Sequence, residues 1–111
     1  MDLYNQLAQL IAQLNASIKQ LRISGADYAE SDMKYKMALR EELLKLEAEG
    51  RPVTNLLYIA RGEKKVAQAK YKQISSEAIY KANLEAIQAI KLQIKIIQAQ
   101  IDKEYGANLN D

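Results

Sequence analysis

The sequence predicts an all-α fold, a long antiparallel helical hairpin with a short elbow helix that self-associates into a helical bundle. Apolar residues recur every three and four positions in both halves of the chain, which is the period of long packed helices. The only proline and two of the four glycines lie within residues 50–62, near the middle of the 111 residues. Apolar residues make up 49% of the chain, and all seven aromatic residues are Tyr, which is typical of a helical bundle.

The first helix is expected over about residues 2–49. Its apolar face follows a single seven-residue register, formed by Leu7, Ile11, Leu14, Ile18, Leu21, Gly25, Tyr28, Asp32, Tyr35, Leu39 and Leu46. The register keeps its phase through residues 24–27, whereas a loop would reset it, and this favours one helix that is kinked at most. Because Gly25 costs about 1 kcal/mol relative to Ala inside a helix, the alternative is a break there, with Ser24 capping a second helix.

Residues 50–62 are expected to form the elbow of the hairpin. Gly50 suits the left-handed residue that follows a helix end, and Pro52 prevents the helix from resuming. Thr54 is a suitable N-cap for a short helix over residues 55–60. Arg61 and Gly62 then provide a second break before the last helix.

The last helix is expected over about residues 63–105, followed by a tail at residues 106–111. Its seam is the predicted oligomer interface, formed by Ile87, Ile90, Ile94, Ile97 and Ile101. A second apolar flank lies outside that seam and consists of Ala82, Ala86, Ala89, Leu92, Ile96 and Ala99. A helix with two apolar flanks needs more than one neighbour. We therefore expect one helical domain, residues 1–111, that forms a homo-oligomer, with a dimeric four-helix bundle favoured.

Signatures of catalysis and metal binding are missing from the sequence. The chain has no His and no Cys, which excludes thiolate zinc sites and catalysis by thiol or imidazole groups. No glycine-rich phosphate loop or nucleophile elbow occurs. The carboxylate pairs Glu41-Glu42 and Glu47-Glu49 are typical of solvated residues on an amphipathic helix. We expect no catalytic residue, no metal, no cofactor and no enzymatic activity.

The N-terminal residues do not resemble a signal peptide, because Asp2, Asn5 and Gln6 interrupt any apolar run. No apolar run approaches the roughly 20 residues that a membrane span needs. The expected location is the cytoplasm, with no membrane partner.

Basic residues are concentrated in the second half of the chain. Residues 1–50 hold six basic and eight acidic residues, whereas residues 51–111 hold ten and six. The predicted partner-binding or anion-binding surface consists of Arg51, Tyr58, Arg61, Lys64, Lys65, Lys70, Tyr71 and Lys72. A Tyr-Lys pair such as Tyr71-Lys72 is suited to stacking on a base beside a phosphate. The alternative is that these lysines only solvate the outer face of a helix.

Three stretches of the sequence resemble one family. They are Tyr28-Ala29-Glu30 with Tyr35-Lys36-Met37-Ala38-Leu39-Arg40, then Gly50-Arg51-Pro52-Val53-Thr54, then Ala78-Ile79-Tyr80-Lys81-Ala82-Asn83-Leu84-Glu85-Ala86-Ile87. They are similar to small helical coiled-coil proteins encoded in the early regions of phages and prophages of Gram-positive bacteria. The resemblance implies a phage protein acting in the cytoplasm of the host cell. Early phage regions carry replication and recombination accessories as well as inhibitors of host defence.

Taken with that resemblance, the helical pattern favours a binding protein that inhibits a host or defence factor by protein–protein interaction. The expected partners are therefore a second copy of the chain and a host protein. Two alternatives remain open: a nucleic-acid-binding accessory of phage replication or recombination, and a sponge for a phosphate-bearing signal nucleotide.

Overall fold

The computed structural model describes residues 2–110, and the side chains of residues 2–106. Helix α1 spans Leu3–Ala48, helix α2 spans Leu56–Gly62 and helix α3 spans Lys64–Asn110. A 3-10 turn, Val53–Asn55, precedes α2. No strand occurs within residues 2–110. The predicted all-α class, with two long helices joined through a short elbow helix, is confirmed.

Both ends of α1 are capped by local hydrogen bonds. At the start, the amide of Asn5 donates to Oδ1 of Asp2 at 2.7 Å, which satisfies a helix N–H that has no partner of its own in the first turn. At the other end Gly50 has a φ of 76°. The amide of Gly50 donates to the Glu47 carbonyl, and the amide of Arg51 donates to the Leu46 carbonyl. This pair of bonds is a Schellman motif, and the left-handed Gly50 is confirmed.

The elbow differs in detail from its prediction. Thr54 lies inside the 3-10 turn, so the assignment of Thr54 as an N-cap is wrong. The cap position of α2 is held by Asn55, whose side chain makes no capping bond. Helix α2 continues through Gly62, and the break falls at Glu63, whose backbone is extended.

The last helix is longer than predicted. We expected a tail from Gly106, but α3 continues through Gly106 to Asn110. Gly50 is the only residue with a positive φ in the described part of the chain. Gly106 therefore has no backbone geometry that would end the helix. Asp111 lies outside the described residues.

The chain divides into two compact units, each built from one segment of α1 and one of α3. Unit 2, residues 24–80, also contains the elbow. Its apolar core consists of Leu46, Leu56 and Ala60, with Leu39, Leu43 and Ile59 packed against them. Unit 2 also buries Tyr35 and Val66.

The helix contacts in unit 2 are partly polar. Ser24 and Ser31 are buried, although the predicted register ran through the adjacent Gly25 and Asp32. The predicted Tyr35 is also buried, so the contact face is wider than the predicted register and includes the two serines. Because Gly25 has no side chain, the ring of Tyr80 packs close to it, and a Cβ added to Gly25 would lie 3.4 Å from that ring.

Unit 1 combines residues 1–23 with residues 81–111. Ile87 is its buried apolar residue within the described part of the chain. Tyr4 and Tyr105 meet edge to face, with ring centroids 6.0 Å apart. The hydrogen bond between the hydroxyl groups of Tyr4 and Tyr105 favours the protonated form of Tyr4 and raises its pKa to about 12. Among the described residues, no helix combines the length and apolar character needed to cross a membrane.

Candidate functional site

The eight residues predicted to bind a partner or an anion all lie in unit 2 and are all exposed. Arg51 follows α1, Tyr58 and Arg61 belong to α2, and the other five belong to α3. The structure does not gather them into one site. It places five of them in three different surroundings and leaves the other three outside these.

The first group lies on the outer side of α2. Leu56 and Ala60 face the core, so the helical period turns Leu57, Tyr58 and Arg61 towards solvent. Tyr58 is 85% exposed and Val53, in the preceding turn, is 83% exposed. We call Val53, Leu57, Tyr58 and Arg61 the elbow face. The elbow face combines exposed apolar side chains with the cation of Arg61, and the opposite side of α2 packs against the core.

The second group surrounds a cavity of about 260 Å³ lined by Tyr35, Arg61 and Lys70. Each residue comes from a different helix: α1, α2 and α3. The ammonium group of Lys70 lies 4.6 Å from the centre of the Tyr35 ring, a favourable cation–π distance. Arg61 therefore borders both this aromatic–cation cavity and the elbow face.

A chain of polar contacts crosses between α1 and α3 beside the aromatic–cation cavity. Lys70 Nζ donates to Gln73 Oε1 at 2.8 Å, and Gln73 Nε2 donates to Asp32 Oδ1 at 2.6 Å. The other oxygen of Asp32 is 2.8 Å from Lys36 Nζ. The bonds from Lys36 and then from Gln73 lower the pKa of Asp32, and the Asp32 carboxylate raises the pKa of Lys36. These contacts fix the position of the Lys70 amine.

Carboxylates surround the third group, Lys65 and Lys72. Lys72 lines a groove with Asp27, Glu30 and Lys34, and Glu30 is itself paired with Lys34 at 2.9 Å. That pairing lowers the pKa of Glu30, and the charge of Lys72 adds to the effect. Lys65 lines another groove, together with Glu41, Glu42, Lys45 and Glu63. The carboxylates offset the positive charge of both lysines, which leaves no continuous basic track along α3.

Three predicted residues belong to none of these surroundings. Arg51 and Lys64 are exposed. Tyr71 is 75% exposed, and its carbonyl accepts a hydrogen bond from Ser75 Oγ at 2.9 Å. None of the three lines the aromatic–cation cavity.

Tyr35, Asp32 and Gln73 are not among the site residues that the sequence predicts. Tyr35 and Asp32 lie on the predicted apolar register, which indicates a role in packing. The position of Asp32 in an apolar register nevertheless indicates a polar contact between helices, because a charged group at a helix contact needs a partner. Gln73 gave no such signal, since glutamine is common on solvated helix faces.

The isoleucines predicted as an oligomer interface lie on the inner side of α3 in unit 1. Ile87 is 5% exposed, and Ile90, Ile94, Ile97 and Ile101 are partly buried. Unit 1 contains only segments of α1 and α3, so the α1 segment covers them within one chain. Their use between two copies stays a prediction.

Comparisons with family models, with curated proteins and with solved structures found no match. The resemblance to phage proteins therefore stays a prediction. No cluster of three or more carboxylates that would suit a metal ion occurs in the described part of the chain. The geometry of unit 2 is accordingly the basis for a functional assignment.

Proposed function

We propose that the protein is a non-enzymatic binding module that uses the elbow face to dock on another protein. The partner we propose is a host or defence factor that a phage-encoded copy of this chain inhibits. The elbow face carries this proposal, because it exposes a large aromatic side chain and an arginine together on α2. Tyr and Arg are enriched among the residues that dominate protein–protein affinity.

The charges of unit 2 favour a protein partner over a nucleic-acid backbone. A protein that follows a phosphate backbone uses cations spread along its groove. Lys65 and Lys72 instead lie in grooves that also contain carboxylates. Arg61, in contrast, lines the aromatic–cation cavity, whose lining contains no carboxylate, and it has no ion pair among the described residues.

The proposal is tested by capture from a lysate of a Gram-positive bacterium, followed by affinity measurement with the captured protein. Tyr58→Ala and Arg61→Ala should each weaken binding about tenfold or more. Both side chains are exposed, so circular dichroism should show an unchanged fold. Met37→Ala is the matched control, because Met37 is 60% exposed on α1 and lies outside the elbow face. Equal capture by Tyr58→Ala and by Met37→Ala would refute the role of the elbow face.

The aromatic–cation cavity favours a second candidate, the sequestration of a small phosphate-bearing ligand such as a signal nucleotide. Arg61 and Lys70 supply two positive charges, and Tyr35 supplies an aromatic edge beside them. The contact of Lys70 with Gln73 holds its amine in place before any ligand arrives. Such preorganisation lowers the entropy cost of binding.

Calorimetric titration with nucleoside diphosphates and triphosphates, and with a short single strand of DNA, tests this candidate. Lys70→Ala should weaken nucleotide binding about tenfold, whereas Lys72→Ala, placed among carboxylates, should change it little. A DNA accessory would behave differently: its affinity should fall steeply with salt, and Tyr71→Ala should weaken binding by about 1–3 kcal/mol through lost stacking. Absence of heat with all nucleotides would remove the nucleotide candidate and leave the protein-binding proposal intact.

A further inference from the structure

One face of α3 in unit 1 is apolar and uncovered. The predicted second flank, Ala82, Ala86, Ala89, Leu92, Ile96 and Ala99, is exposed at every position. Leu92 is 59% exposed and Ile96 is 50% exposed. Leu92 lies two residues from both Ile90 and Ile94, which places it on the opposite side of the helix from the inner seam. Helix α1 covers that inner seam and leaves this flank exposed, although Ile96 also lines a groove beside Gln9 and Gln13 of α1.

The order of residue types along part of this flank is the same when it is read from either end. Four of its residues, Ala89, Leu92, Ile96 and Ala99, form one row with steps of three and four, and the same steps extend the row to Glu85 at one end and Lys103 at the other. Read from either end towards the middle, the flank presents a charged residue, then alanine, then a large aliphatic residue. The two charges have opposite signs, and both are exposed. Neither Glu85 nor Lys103 forms an ion pair among residues 2–106.

The chain exposes more surface than a compact monomer of its mass. A folded monomer of 12.6 kDa is expected to expose about 6,200 Å². This chain exposes 8402 Å², an excess of about 2,200 Å². Obligate homodimers bury about 1,000–2,500 Å² on each chain, so the exposed surface leaves room for a dimer contact of that size.

We propose that a second copy of the chain packs antiparallel on this flank, about a two-fold axis that passes between Leu92 and Ile96. The contacts are then Leu92 with Ile96 of the partner subunit, Ala89 with Ala99 of the partner subunit, and Glu85 with Lys103 of the partner subunit. Each contact occurs twice, as a two-fold interface requires. The alanines let the two helices approach closely, and the paired charges close both ends of the contact.

A parallel pairing of the same flank is disfavoured by charge. In register, it would bring each residue against its own copy, so that Glu85 meets Glu85 of the partner subunit and Lys103 meets Lys103 of the partner subunit. Like charges facing each other across an interface are destabilising. The pairing uses unit 1 alone, so it is independent of the elbow face and of the function proposed for it.

Charge reversal tests the antiparallel contact through sedimentation equilibrium. Glu85→Lys alone and Lys103→Glu alone should each weaken dimerisation about tenfold, because two attractive pairs become repulsive. The double variant Glu85→Lys with Lys103→Glu should restore the parent affinity, because it exchanges the two signs. Leu92→Gln should give a folded monomer, whereas Met33→Gln, an exposed position on α1 in unit 2, should leave the dimer unchanged. A parent chain that stays monomeric at high micromolar concentration, or a double variant no better than the singles, overturns the proposal.

Disulfide cross-linking tests whether the two α3 helices run antiparallel. The chain has no cysteine of its own, so only the introduced cysteines can form a disulfide. A chain carrying Ala89→Cys, mixed under mild oxidation with a chain carrying Ala99→Cys, should form a covalent heterodimer. Either chain alone should cross-link poorly, because the antiparallel contact keeps two copies of one position apart. Efficient cross-linking of the Ala89→Cys chain with itself would show a parallel pairing and overturn the proposal.

Discussion

Asp32 is a charged residue at a helix contact, and it remains ionised because two neighbours bond to its carboxylate. Lys36 binds one oxygen from the next turn of α1, and Gln73 binds the other from α3. Both bonds lower the pKa of Asp32 below its ordinary value of 3.8. A buried or half-buried polar contact of this kind favours one alignment of two helices over its alternatives.

The lowered pKa of Asp32 predicts a stability that depends on pH. Because the pKa is lower in the folded state than in the unfolded state, the stabilisation is fully present above about pH 4. It is lost as the pH falls from there through the lowered folded pKa. Asp32→Asn should therefore reduce the midpoint of thermal unfolding at pH 7, and the difference from the parent should shrink towards pH 2.

The matched control for Asp32→Asn is Glu47→Gln, a change at an exposed carboxylate on the same helix. It should shift the midpoint at pH 7 less than Asp32→Asn does. A gap between the parent and Asp32→Asn that persists unchanged at pH 2 would contradict the contribution of the ionised carboxylate.

At the scale of the elements, the ends of the helices depend on two glycines with different roles. Gly50 has a left-handed φ, and a Cβ added to it would meet no atom within 4 Å, so only backbone strain opposes a substitution. Gly62 belongs to α2, has an ordinary φ and also faces open space. Gly50→Ala should therefore destabilise the fold by about 1 kcal/mol. Gly62→Ala should stabilise it by about 0.4–1 kcal/mol by restricting the unfolded chain.

Chemical denaturation of the two glycine variants and the parent measures this difference directly. The two free energies of unfolding should move in opposite directions from that of the parent. Equal destabilisation by both substitutions would mean that the elbow does not depend on the left-handed residue.

The sequence indicated the helices because their apolar period is long and because Gly50 and Pro52 stop it. The apolar pattern did not include the buried Ser24 and Ser31, because serine does not count as apolar. Ser31 is nevertheless buried at low cost, since its hydroxyl donates to the carbonyl of Tyr28 at 2.8 Å. The helix end at Gly106 was also misjudged, because a glycine without a positive φ costs a helix only about 1 kcal/mol.

The aromatic–cation cavity was beyond sequence reasoning for a different reason. Arg61 and Tyr35 lie 26 positions apart in the numbering and on different helices. Their meeting depends on how α2 packs against α1. The meeting of Tyr35 with Lys70 depends on the register between α1 and α3, which a seven-residue repeat leaves undetermined, because the pattern looks the same after a slip of one heptad.

At the scale of the whole molecule, apolar burial is distributed unevenly. Five of the six buried apolar residues in the described chain, Tyr35, Leu46, Leu56, Ala60 and Val66, belong to unit 2. Unit 1 holds only Ile87 among them. Since local opening is easiest where few apolar contacts oppose it, unit 1 should gain the most from a partner.

Hydrogen exchange measured at several protein concentrations tests this expectation. Dilution below the dimer dissociation constant should accelerate exchange in residues 82–103, because binding of a second copy stabilises by mass action. Exchange around the core of unit 2 should stay nearly constant. In the Leu92→Gln variant, residues 82–103 should exchange at every concentration as fast as they do in the diluted parent. Equal acceleration in both units would argue against a contact confined to the α3 flank.

The two tyrosine pairs also make the protein its own spectroscopic probe. One pair, Tyr4 with Tyr105, lies in unit 1, and the other, Tyr28 with Tyr80 at 5.9 Å, lies in unit 2. The chain has no Trp, so no indole masks the phenol signals in near-ultraviolet circular dichroism or fluorescence. Replacing both Tyr4 and Tyr105 by Phe leaves only the five tyrosines of unit 2, so the tyrosine signal of that variant follows the melting of unit 2 without a dye. The difference from the parent signal then reports on unit 1.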